Sequence, residues 1–272
     1  MKRNYKKYSL FASGVILAGI CIVWLNRKPA NETYHPRDYE EIIRSGVLRV
    51  VTEYNAVSFY VDGDTVSGFH YDLIRAFARD KGIKAEIVPE MSFAKRIEEL
   101  ESGKFDVLAN STLITTESKD SILFTHPIVL SKQVLVQRKV TDSLFIKSQL
   151  DLARRTLYVV KGSPAILRIR NLGNEIGDTI YVEEIEKYGS EQLLAMVAHG
   201  DIDYAVCDET IARASIDSFP QLDINMDISF TQFYSWGVSR YSPVLLDSLN
   251  AWLDNFKEGE EFQTIYRKYY RK

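Results

Sequence analysis

The sequence predicts an α/β fold with mainly parallel sheets, arranged as two similar lobes. Strand-like runs alternate with helix-like runs along almost the whole chain, the order that builds sheets covered by helices. One local pattern also occurs twice: ELESGKFDVLANS (99–111) and AMVAHGDIDYAVCD (195–208) each pass from a helix end through a glycine and two residues to an aspartate and an apolar strand. Gly103 then matches Gly200, Asp106 matches Asp203, and Ser111 matches Asp208. Ligands of open α/β sheets sit beyond the carboxyl ends of the strands. Asn110 and Ser111 in one lobe and Asp208 in the other are therefore predicted to face each other across a cleft.

The elements follow in order. After a polar linker over roughly 26–37, β-branched VLRVVT (47–52), bounded by Gly46, is a strand. FYVDGDTVSGF carries the Asp-Gly turn of a hairpin. HYDLIRAFARDKG spaces Leu73, Ile74, Phe77 and Ala78 along one helix face and stops at Gly82. AEIVPE is a strand, AKRIEELESGK a helix and FDVLAN a strand, with ILFTHP and QVLVQRK as further extended segments. The order restarts with the strand TLYVVKG, a helix over SPAILRIRN, the strand TIYVEEI, a helix over SEQLLAMVAHG and the strand DYAVCDE. FYSWGVSR is extended, and helices over SPVLLDSLNAWLDNF and EFQTIYRKYY close the chain; the basic YRKYYRK suits a helix C-terminus.

The N-terminus predicts export. Lys2, Arg3, Lys6 and Lys7 precede Ser9 to Leu25, 17 residues without a charge, about 26 Å long as a helix and near the lower limit for crossing a bilayer. Residues 1–30 are thus a signal peptide or membrane anchor. Lys28 stands where a cleavage site needs a small residue, which favours the uncleaved hydrophobic helix. LAGIC resembles a lipoprotein box, but Ile20 precedes Cys21 where Gly or Ala is expected, so lipidation ranks second. The positive-inside rule puts the rest of the chain outside, periplasmic or extracytoplasmic and tethered to the membrane.

Of the 34 Lys and Arg, six lie in residues 1–30, which hold no Asp or Glu, so the exported part sets 28 basic against 37 acidic groups, a net of −9. That balance disfavours a nucleic-acid partner. Two cysteines, Cys21 and Cys207, offer neither a disulfide framework nor a zinc site. The four histidines form no HExxH or HxH pair and are expected at the surface or at caps, and no GxSxG, GxxxxGK[ST] or GxGxxG is present. No catalytic residue, metal or cofactor is predicted. Adjacent Asp208 and Glu209 cannot face each other across a gap as a glycosidase pair must. From the residues alone, Asp208 is first an N-cap for ETIARASI and second a ligand group.

GVLRVVTE, VDGDTVSGFHYDLIRAFARDKGIKAEIVP and ELESGKFDVLANSTLITTESKDSILFTHP, taken as an ordered series, resemble the bacterial extracytoplasmic solute-binding proteins of family 3 over residues 38 to 272. GFHYDL, YGSEQLLAMVAHGDIDYAVCDETIA and FYSWGVSR are most similar to the solute-binding portion of the membrane-bound lytic transglycosylase F family, which continues into a catalytic domain; the given sequence ends at YRKYYRK without one.

The resemblance implies a two-lobed type II periplasmic binding protein fold with a hinge of two crossing segments, near 133–139 and 231–237. Lobe 1 would comprise 38–135 and a return segment 232–272, and lobe 2 residues 136–231. It implies a small polar solute held between the lobes, an amino acid, peptide or cell-wall fragment, delivered to an ABC permease. The alternative is a sensor domain that signals to a cell-wall enzyme. One cleft per chain suggests a monomer.

By position, the family's ammonium-gripping aspartate is Asp208, and Ser163 is the small polar residue at a helix N-terminus that favours an anion. Phe93 and Phe59 fall at aromatic wall positions. The family's hydroxyl and carboxylate-clamping arginine fall on Leu113 and Ser118, and its aromatic lid on Ala56, for which Tyr54 or Tyr60 would compensate. An amine-bearing or larger solute is therefore expected rather than a free α-amino acid.

Overall fold

A computed structural model describes residues 34–113, 122–139, 144–186 and 188–270. The N-terminal apolar segment with Cys21, and Ser118 with its neighbours, lie outside the described residues. Among the described residues no helix is long and apolar enough to cross a membrane.

The first lobe opens with α1 (Tyr39–Ser45), β1 (Val47–Thr52), the hairpin β2 (Tyr60–Asp62) and β3 (Thr65–Ser67), α2 (Phe69–Lys81), β4 (Lys84–Pro89), α3 (Phe93–Glu101) and β5 (Val107–Leu113). β6 (Ile122–Phe124) and β7 (Val129–Ser131) follow. The second lobe holds β8 (Gln133–Arg138), β9 (Thr156–Val160), α4 (Ala165–Ile176), β10 (Tyr181–Ile185), α5 (Ser190–His199), β11 (Tyr204–Asp208), α6 (Glu209–Ser215) and β12 (Leu222–Asp227). The chain returns through β13 (Gln232–Ser239) to α7 (Pro243–Lys257) and α8 (Glu260–Tyr270).

The sheets correct the expectation of mainly parallel pairing. The first runs β4-β1-β5-β13-β6, with β7 also on β13; the second runs β10-β9-β11-β8-β12. Each has a parallel triplet, β4-β1-β5 or β10-β9-β11. The remaining pairs are antiparallel. The cause is the crossing: the chain leaves the first sheet through β7 into β8 and comes back through β12 into β13. These two runs therefore lie side by side in opposite directions.

Both sheets are covered on both faces, as parallel segments require. Phe69, Phe77, Trp236 and Leu249 pack on one face of the first sheet, and Leu100, Leu108 and Ile122 on the other. Leu157, Ile169 and Leu172 cover one face of the second, and Leu193, Leu194 and Val197 the other. Helix α1, which the sequence reading passed over, buries only Ile42 and depends on tertiary support. Asp38 Oδ1 accepts from Tyr39 N at 2.8 Å and from Leu245 N at 2.7 Å, so one carboxylate caps α1 and α7 together.

The repeated pattern is structural. Gly103 and Gly200 both adopt positive φ, 77° and 86°, after α3 and α5. A Cβ at Gly103 would also stand 2.0 Å from the His35 backbone, so no other residue fits that turn. Asp106 and Asp203 immediately precede β5 and β11, which places Ser111 and Asp208 at corresponding positions along those strands.

Candidate functional site

The carboxyl ends of β1, β5, β9 and β11 converge on a narrow cleft with a cavity volume of about 80 Å³, well below the ~300–1,000 Å³ usual for small-ligand sites. Glu53, Asn55, Phe93, Arg96 and Ser111 line it from the first lobe, and Ser163, Ser190, Asp208 and Thr210 from the second. At its floor, where the crossing strands meet, Gln133 Nε2 donates to Tyr234 Oη at 2.9 Å. The lobes also touch across the cleft. Ala56 N donates to Glu191 Oε1 at 2.6 Å, and a Cβ at Gly162 would lie 3.5 Å from the Phe93 ring.

Asp208 ends β11 and caps α6, and it is 8% exposed. Its Oδ1 accepts from Thr210 N at 2.9 Å, Thr210 Oγ1 at 2.5 Å and Ser131 Oγ at 2.9 Å. Oδ2 is buried and has no hydrogen-bond partner among the described residues. The Tyr234 hydroxyl stands beside the carboxylate and favours its ionised form through a hydrogen-bond contact too loose to give Oδ2 a partner of regular geometry. Burial raises the Asp208 pKa, and the Thr210 and Ser131 donors offset only part of the rise. The cap reading and the cleft reading thus fall on different oxygens of one carboxylate.

Ser111 faces the cleft from β5, its Oγ 3.1 Å from His70 Nε2. The expectation that every histidine sits at the surface or at a cap fails for His70, which is 1% exposed on the inner face of α2. Trp236 Nε1 donates to His70 Nδ1 at 2.9 Å. Indole N–H can only donate, so Nδ1 is the acceptor, and the remaining proton sits on Nε2 and points to Ser111. Burial lowers the His70 pKa to about 3, which keeps the ring neutral.

Ser163 is half-buried at the entrance to α4, and its Oγ accepts from Ala165 N at 3.2 Å. Phe93 begins α3 and lines the cleft with the Arg96 guanidinium 5.7 Å from its ring. Phe59 and Tyr54 do not line it. Asn55 pairs with Phe59 in a bridge that turns this segment back, so the Phe59 ring packs edge-on against Tyr71 at 5.6 Å. Tyr54 is 40% exposed and leans on Phe59. Tyr60 packs towards Tyr269 instead of the cleft, so at Ala56 it is the backbone N–H that reaches across.

The sequence reading missed Arg96 and Glu53. Arg96 is 3% exposed. Its Nη1 donates to the carbonyls of Glu90 at 2.6 Å and Met91 at 3.0 Å, and its Nη2 to Glu53 Oε2 at 3.1 Å. A usable signal existed: Arg96 stands three residues after Phe93 and four before Leu100, on the same face of α3. Burial, with the nearby Glu53 charge, also raises the pKa of Glu191. The Cys207 thiol lines the cleft, but burial pushes its pKa up, away from the reactive thiolate.

The model of the bacterial extracellular solute-binding proteins, family 3, matches residues 48–272. A membrane-bound lytic murein transglycosylase F of Photobacterium profundum is 30% identical over 237 residues, covering 86% of this chain and 45% of that protein. The one from Desulfosudis oleivorans is 28% identical over 99% of this chain and 58% of its own length. The chain spans about half the length of the curated relatives it matches. Among solved structures, the P235GK mutant of ArgBP from T. maritima superposes with a TM-score of 0.75 at 26% identity, over 86% of this chain and 99% of that one. An ancestral arginine-binding protein bound to arginine gives 0.72 at 28% identity, over 83% and 98%.

Proposed function

The chain belongs to the bacterial extracellular solute-binding proteins, family 3, and from that membership we propose that its cleft captures a small polar, amine-bearing solute of amino-acid type and presents it to an ABC permease. The observation that carries this reading is Asp208: a buried carboxylate in a two-lobed cleft, with one oxygen fully engaged and the other free. Such a group suits an ammonium, which makes charge-assisted bonds and relieves the desolvated charge. Arginine-binding relatives support the ligand class. A solute touching both lobes would shift the population towards closure.

The experiment is a thermal-shift screen of the full chain against amino acids, dipeptides and muropeptides. A ligand at 100 times its Kd adds about 2.7 kcal/mol of stability; a panel that leaves the melting point unmoved removes the reading. We place the chain outside the cytoplasm on an anchor within residues 1–30, as a binding module that catalyses no reaction. Release of products from peptidoglycan would overturn that last point.

A second reading rests on the curated relatives, which carry the transglycosylase F name over roughly twice this length. In it, the cleft serves as a sensor that reports a cell-wall fragment to a partner protein. Pull-down of a transglycosylase without a permease favours the sensor; a permease favours transport.

A further inference from the structure

Two buried side-chain atoms without a hydrogen-bond partner among the described residues belong to groups lining the cleft from opposite lobes: the acceptor Asp208 Oδ2 and the donor Arg96 Nε. Asp208 is part of the reading above. Arg96 is not, and its proton inventory is informative. A guanidinium carries five N–H donors and no acceptor. Nη1 uses both of its donors on the Glu90 and Met91 carbonyls, and Nη2 gives one to Glu53. Nε–H and one Nη2–H remain, and these two nitrogens form the side edge of the fork, which suits a carboxylate. Glu53 is 14% exposed at its side chain and supplies the ion pair at 3.1 Å, so it balances the charge without using the Nε donor.

We propose that Arg96 is the oxyanion subsite of the cleft, its Nε edge taking a carboxylate of the solute whose ammonium Asp208 Oδ2 accepts. This deepens the solute-binding reading and rests on it. The two free atoms have opposite polarity and sit on opposing lobes, so a zwitterion satisfies both and adds no net charge to the cleft. Two carbonyls and Glu53 already hold the guanidinium, so little side-chain entropy is lost on binding. The subsite lies on α3, outside the LITTES segment where the family resemblance would have put an arginine.

The test compares matched probes that differ only in the carboxylate: L-arginine with agmatine, L-lysine with cadaverine, and L-alanine with ethylamine. Each pair is titrated calorimetrically into the full chain as wild type, Arg96→Gln and Arg96→Lys. The wild type should favour the carboxylate-bearing member by roughly tenfold or more, the worth of one hydrogen bond to a charged group. Arg96→Gln should bring that ratio close to one while still binding the amine, and Arg96→Lys, which keeps the charge and loses the fork, should fall between. A purely structural role for Arg96 would weaken both members alike, and an unchanged ratio in Arg96→Gln overturns the assignment while the solute-binding reading stands. A wild type that prefers the plain amine does the same. If no probe binds the wild type, the Arg96 assignment falls, and the dipeptide and muropeptide arms of the thermal-shift screen decide the solute-binding reading.

Discussion

Asp106 and Asp203 stand at the same point of the two lobes, three residues after a positive-φ glycine and just before the third strand of a parallel triplet, yet their surroundings differ. The Asp106 side chain is 1% exposed and meets Arg37 and Arg49, and it also accepts from Arg49 N at 2.7 Å. The Asp203 side chain is 51% exposed and meets Arg138. Five residues on, the contrast reverses: the first lobe presents the hydroxyl of Ser111, and the second presents the buried carboxyl group of Asp208. One strand motif thus places its buried carboxylate at the base of the first lobe, where it holds the fold, and at the cleft edge of the second, where it can hold a ligand.

The largest effect that tests this division is on stability. Asp106→Ala leaves two arginines and a backbone N–H without their acceptor and should cost roughly 3–5 kcal/mol in urea unfolding. Asp203→Ala should cost under about 1 kcal/mol, as an exposed pair does. Equal losses would show that the two positions are structurally interchangeable.

Next in size is the cleft acid. Asp208→Asn keeps an oxygen for the Thr210 and Ser131 donors but removes the charge, so affinity for an amine ligand should fall by about 1.5–3 kcal/mol. The ligand-free protein should keep its melting point or gain slightly, because a carboxylate whose pKa is raised by burial destabilises the fold once ionised. A melting point that drops with unchanged affinity would make Asp208 a cap alone.

Acid separates the lobes by sign. His70 goes from 6.5 in the unfolded chain to about 3 in the fold. The unfolded chain therefore takes the proton first, and stability from this group is complete above pH 6.5 and is lost as pH falls towards 3, by at most about 1.4 kcal/mol per pH unit. Asp208 runs oppositely, with its contribution present at low pH and lost as pH rises through its raised pKa. His70→Gln should flatten the acid limb of a stability–pH curve, and Asp208→Asn should remove the opposing loss of stability as pH rises. An acid limb that survives His70→Gln would place the titration elsewhere.

The sequence showed one side of the cleft better than the other for physical reasons. An acid at the end of an apolar strand is visible as a break in pattern, so Asp208 could be found. A charged residue on a helix is by default solvated, so Arg96 was not; its burial depends on Glu53 and on two carbonyls before α3. His70 was misplaced because its partner Trp236 lies 166 positions away. Strand and helix periodicity located most elements, but the short α1 depends on a cap shared with α7, and strand direction depends on how the chain crosses between sheets. Neither is a local property.

The smallest expected effect concerns closure itself. Glu191, on the first turn of α5, accepts from Ala56 N across the cleft, yet burial and the Glu53 charge raise its pKa, so in this closed arrangement the ionised form is disfavoured despite that bond. Neutralising it should favour closure: Glu191→Gln retains a side-chain carbonyl for Ala56 N and removes the repulsion. Small-angle scattering of the ligand-free variant at neutral pH should show a slightly smaller radius of gyration than wild type. The difference should vanish as acid protonates Glu191 in the wild type. A larger radius in Glu191→Gln would mean that the ionised carboxylate holds the lobes together, and closure would then weaken, not strengthen, on acidification.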